Sequence, residues 1–93
     1  MTKKEYNGWS NYETWNCKLW LDNDEWVHND ILSHAQHAKG YTNKEQAVAD
    51  FIKDYVEGNV PKLDASMYLD MLNASISEIN FQEIANAFLD EAE

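Results

Sequence analysis

Arginine is missing from this chain altogether, and cysteine and proline occur once each, as Cys17 and Pro61. Seven lysines are the only full-time cations against seventeen Asp and Glu, a formal charge of −10. Phosphate contacts need clustered Lys or Arg, so direct nucleic-acid binding is not expected. Adsorption to an anionic membrane surface is disfavoured for the same reason. A lone cysteine excludes an intramolecular disulfide and a cysteine-rich zinc set. No apolar run approaches the roughly 18 residues of a membrane helix, and no signal-peptide core is visible. These absences lead to the expectation of a soluble protein in a reducing cytoplasm.

Glycine is scarce too: Gly8, Gly40 and Gly58 are the only three in 93 residues. Few turn signals and long helix-compatible stretches predict an all-α fold, a compact single domain of about five short helices over residues 1–93. Residues 1–9 read as a partly frayed tail. Ser10 and Glu13 have capping-box spacing and open a first helix from Asn11 to Leu21, with Tyr12, Trp15 and Leu19 as its inward stripe. Trp20 falls about 140° away from Trp15 at 100° per residue. Asp22-Asn23-Asp24 is a polar break, although a continuous helix through it is the alternative. Asp24 caps a second helix from Glu25 to Lys39, with Val27, Ile31, His34, Ala35 and Ala38 inward. Thr42 and Glu45 open a third from Asn43 to Glu57, with Ala47, Val48, Phe51, Ile52 and Tyr55 on its apolar face. Asp64 caps a fourth, with Met67, Tyr68, Met71 and Leu72 inward. Asn80 and Glu83, bracketed by Ile79 and Ile84 at staple spacing, open a fifth from Phe81 to Glu91.

Two features stand out in what is present. Trp9, Trp15, Trp20 and Trp26 fall within eighteen residues, and no tryptophan follows. Trp15 is expected in the core; Trp9 and Trp20 are the candidate binding anchors, since exposed Trp is enriched at interface hot spots. The second feature is the uneven charge. Residues 1–44 carry six acids and five lysines, a balance of −1, whereas residues 45–93 carry eleven acids and two lysines, a balance of −9. Asp50, Asp54 and Glu57 lie at i, i+4 and i+7, so the first two stand roughly 6 Å apart along one helix face. With Asp64 and Asp70 they are the candidate contacts of a negative surface that occupies a basic groove on another protein. A solvated face that keeps a small protein soluble is the plainer reading.

Catalytic and metal signatures are thin. His34 and His37 are i, i+3 neighbours with Asp30 one turn before, but there is no HExxH motif. Cys17 has histidines downstream but no glycine-rich turn beside it, and reads as a small core residue. Asp22, Asp24 and Asp30 approach calcium-loop spacing, yet DNDEWVHNDILS lacks the central Gly and the final Glu. No enzyme activity, cofactor or metal is therefore expected.

The run Tyr6-Asn7-Gly8-Trp9-Ser10-Asn11-Tyr12-Glu13-Thr14-Trp15-Asn16, followed by Leu19-Trp20-Leu21-Asp22-Asn23, resembles the NGWxNYETWNxxLWxDN opening of small uncharacterised proteins from bacteriophages, plasmids and other mobile elements. The resemblance covers about the first quarter of the chain and implies a mobile-element origin and residence in the host bacterial cytoplasm. It brings no mechanism or ligand with it. Small acidic phage proteins include inhibitors of host defence. The expected function is accordingly a non-enzymatic nucleic-acid mimic of anti-CRISPR or anti-restriction type, whose partner is a basic host protein or nucleoprotein complex. The alternative is an aromatic-faced interaction or adaptor module, compatible with a homodimer, in which Trp9 and Trp20 are the anchors.

Overall fold

A computed structural model describes residues 6–92, and the expected frayed stretch of residues 1–5 lies outside them, as does Glu93. Five helices follow in order: α1 (Tyr12–Asn23), α2 (Glu25–Ala38), α3 (Lys44–Gly58), α4 (Met67–Ser77) and α5 (Phe81–Glu91). The last helix is the centre of the molecule. Its apolar residues Ile84, Ala85, Phe88 and Leu89 recur on one stripe and are all buried. Helix α5 packs on α3, α2 and α1, and α2 also packs on α3 and α1. Val48, Ala49 and Ile52 come from α3, Val27, Ile31, Ala35 and Ala38 from α2, and Leu21 from α1. Each large apolar side chain removed from water contributes about 1.5–3 kcal/mol, and that burial holds the four helices together.

Residues 6–9 are not a frayed tail. Tyr6 N–H donates to Trp9 O at 3.2 Å and Trp9 N–H to Tyr6 O at 2.8 Å, closing a two-residue turn. Asn7 and Gly8 occupy it with φ of 50° and 93°. Both values are positive, as in a type I′ turn, the conformation Asn-Gly adopts at least cost.

Helix α1 reverses the expected stripe. Tyr12 and Leu19 are exposed, Trp15 is half-buried with its ring 5.6 Å from that of Tyr12, and Thr14 and Leu21 are the buried pair. The inward line is Thr14, Cys17, Lys18 and Leu21, at i, i+3, i+4 and i+7. Lys18 belongs to it because its stem covers apolar surface while its ammonium reaches out. That ammonium lies 4.8 Å above the Phe88 ring centre and 2.6 Å from Asp22 Oδ2.

The helix starts also differ from the sequence reading. Asn11, not Ser10, caps α1, accepting from Thr14 N–H at 2.9 Å. Ser10 turns away to donate from N–H and Oγ to Glu83 Oε1. Asp24 caps α2 as expected, accepting from Val27 N–H, and breaks the chain between α1 and α2. Asn43 stands at the start of α3 without a side-chain cap, so Thr42 plays no capping role. Ser66, not Asp64, caps α4. Asn80 caps α5, accepting from Glu83 N–H at 3.0 Å. The capping box does not close there, because Asn80 N–H donates instead to Thr14 Oγ1 at 2.9 Å. Asn11 Nδ2 adds a bond to Glu78 O at 2.8 Å. The entry to α1 is thus stitched to the entry to α5.

Helix α4 departs furthest. None of its residues is buried, and Met67, Tyr68 and Met71, expected inward, are 63%, 70% and 58% exposed. Only Leu69, Leu72 and Ile76 are half-buried. Apolar spacing on this helix marks a face without a partner helix in the described fold. In α2 the stripe stands as read except for His34, which is exposed and stacks on Phe51 with ring centres 3.7 Å apart. In α3 the buried alanine is Ala49, while Ala47 is half-buried.

Candidate interaction sites

The five acids singled out from the sequence are all exposed, and the fold divides them. Asp50 and Asp54 share one recess of about 400 Å³, lined also by His34, His37, Tyr41 and Phe51 where α2 meets α3. Asp50 accepts from Gln46 Nε2 at 2.8 Å, and Gln46 Oε1 accepts in turn from Gln82 of α5. That chain of amides fixes the carboxylate. Glu57 borders a different recess with Val60, Asn73 and Ile76. Asp64, in the connection before α4, and Asp70, on α4, line neither. Among the described residues none of the five has a lysine or histidine within ion-pair distance. Their charge is left for solvent or a partner.

The aromatic anchors separate as well. Trp9 is half-buried and packs against the core. Trp20 is 67% exposed, and Trp26 is 75% exposed. Trp26 escaped the sequence reading, although its place was legible: it falls one residue before Val27, about 100° off the buried stripe of α2. A recess of about 480 Å³ opens at the α1–α2 junction, lined by Trp20, Leu21, Asn23, Asp24, Glu25, Val27 and, from α3, Tyr55.

The groups considered for chemistry have other occupations. Burial pushes the Cys17 thiol up to about 11, so at neutral pH it is not the thiolate a nucleophile requires. His37 Nδ1 lies 2.8 Å from Ser33 O, the geometry of a ring N–H donating to that carbonyl. His34 is engaged with Phe51. Among the described residues no three His, Cys, Asp or Glu side chains gather as a metal site.

His28 bridges two carboxylates. Its Nδ1 lies 2.8 Å from Asp22 Oδ1 and its Nε2 2.8 Å from Glu91 Oε2, joining the ends of α1 and α5 through α2. Burial works to lower its pKa, but the hydrogen bonds and negative charges of Asp22 and Glu91 outweigh that and raise it above the ordinary value. A histidine whose folded pKa is raised adds stability that is complete below its unfolded pKa, near 6.5, and is lost as pH rises through the folded value. His28→Gln is therefore expected to be less stable than the wild type at about pH 6, with the gap narrowing towards about pH 8. Urea denaturation at the two pH values measures it; a gap constant or growing with pH refutes the clasp.

No helix among the described residues is long and apolar enough to cross a membrane. A protein-family model described as a family of unknown function (DUF7249) matches residues 2–93. No curated protein and no solved structure matches the chain.

Proposed function

The chain belongs to that family of unknown function, and we propose that it is a non-enzymatic mobile-element protein that inhibits a host nucleic-acid-binding defence complex, of anti-CRISPR or anti-restriction type. The observation that carries the reading is the Asp50–Asp54 recess: two exposed carboxylates one helical turn apart, without a cationic partner among the described residues, in a chain of net charge −10. Such a surface attracts the Lys and Arg that otherwise hold phosphates. The mobile-element origin rests on the resemblance of the first quarter of the chain.

Affinity capture from host lysate tests it. The wild type is expected to retain a nucleic-acid-binding protein at about 0.1 M salt and to release it near 0.5 M, where the Debye length falls to a few ångströms. Asp50→Lys with Asp54→Lys is expected to abolish retention, and added nucleic acid to compete. A partner held equally by the charge-reversed protein, or no salt-sensitive nucleic-acid-binding partner, overturns the proposal.

The exposure of Trp20 favours a second reading, an adaptor that engages its partner through the aromatic face of α1 and α2. Retention would then survive charge reversal and high salt, and fail in Trp20→Leu.

A further inference from the structure

We infer that the recess at the α1–α2 junction is a receptor for a single lysine or arginine side chain of a protein partner. Two features of the recess favour a cation. The first is aromatic: Trp20 and Tyr55 both line it, and the negative faces of aromatic rings attract ammonium and guanidinium groups. The second is acidic. Asp24 and Glu25 stand beside those rings, and Asp24 is held in place by the Val27 N–H it accepts at 3.2 Å.

The remaining lining sets the size and reach of the ligand. Leu21 and Val27 are buried residues of the core whose edges reach the recess, an apolar lining suited to the methylene stem of a long cationic side chain. A neutral or acidic ligand would strip water from two carboxylates without compensating them. A second copy of this chain is a poor occupant, because it brings no arginine and another ten negative charges. The 67% exposure of Trp20 leaves its ring free to close on an arriving side chain.

This inference rests on the proposed function only in taking the partner to be basic; it concerns a different surface from the Asp50–Asp54 recess, and purified components test it. Uniformly ¹⁵N-labelled protein is titrated with short acetylated peptides carrying one Arg or one Lys, and with matched peptides carrying citrulline or acetyl-lysine. The Trp20 indole N–H, identified by its loss in Trp20→Leu, and the Asp24 and Glu25 amides are expected to shift saturably with the cationic peptides only. Read at those amides, Trp20→Leu is expected to bind about two- to fivefold more weakly, the loss of a cation–π contact at an exposed ring. Glu25→Gln is expected to bind several-fold more weakly, with the circular dichroism of both variants unchanged. Binding by the neutral peptides equal to that of the cationic ones overturns the inference, as does the absence of any saturable shift. Shifts that follow protein concentration alone overturn it in favour of a second copy.

Discussion

Replacing Phe88 by alanine is expected to cost about 3–5 kcal/mol, the largest loss from a single truncation in this fold. Phe88 is fully buried on the central helix α5, with its neighbours Ile84, Ala85 and Leu89 also in the core. The truncation removes more than one ring's worth of apolar burial. The His28 ring packs 5.3 Å from it and the Lys18 ammonium sits 4.8 Å above it, so α1 and α2 both lose their seat on α5. A domain of this size has a total stability of about 5–15 kcal/mol, so about a fifth or more of it is at stake. At about 4–8 °C per kcal/mol the midpoint of thermal unfolding should fall by at least about 12 °C. Met71→Ala on α4 is the comparison: its side chain is 58% exposed, and a change within about 0.5 kcal/mol is expected. Circular dichroism melts and urea titrations measure both. Equal losses in the two variants would mean that α5 is not the centre of the core.

The contrast between those helices shows how far the sequence can be read. In α2 and α5 the apolar residues concentrate on one face, and cap and stripe follow from spacing, except for His34, which is exposed. In α1 large apolar side chains surround the helix, so the brightest stripe, Tyr12–Trp15–Leu19, competes with a duller one that contains Thr14, Cys17 and Lys18. The choice between them is made by α5, whose entry needs Thr14 as a hydrogen-bond acceptor. In α4 the spacing of Met67, Tyr68 and Met71 describes a stripe correctly but says nothing of whether another helix covers it. The Asn7-Gly8 turn was legible as a dipeptide signal and was masked by its closeness to the start of the chain.

The candidate sites divide on the same line. Asp50 and Asp54 are neighbours by helical spacing, which sequence alone supplies. Their company with His34, His37 and Tyr41, and the separation of Glu57, Asp64 and Asp70 from them, come from helix packing. The α1–α2 recess depends on Tyr55, a whole helix further along the chain, and no local pattern announces that meeting.

Thr14→Val is expected to cost about 1–2 kcal/mol while preserving side-chain shape, a loss that reports on one hydrogen bond. Thr14 is fully buried, and its Oγ1 accepts the Asn80 N–H that opens α5. Valine keeps the volume but offers no acceptor, so that amide goes unpaired in a partly shielded place. Thr14→Ser keeps the acceptor and loses a methyl group, and should be the milder change. Urea denaturation ranks the variants, and amide exchange at Asn80 should quicken in Thr14→Val. A serine variant less stable than the valine one would show that the methyl contact, not the bond, holds the junction. The outcome bears on the meaning of the opening signature. Ser10, Asn11 and Thr14 all bind α5 or the turn before it, through Glu83, Glu78 and Asn80. Those positions of the signature secure the fold, whereas Trp20, in the same stretch, spends two-thirds of its surface on solvent. Thr14→Val should therefore lower stability without weakening cationic peptides at Trp20 in the protein that stays folded, and Trp20→Leu should do the reverse. That double dissociation assigns architecture to the polar half of the signature and recognition to its exposed indole.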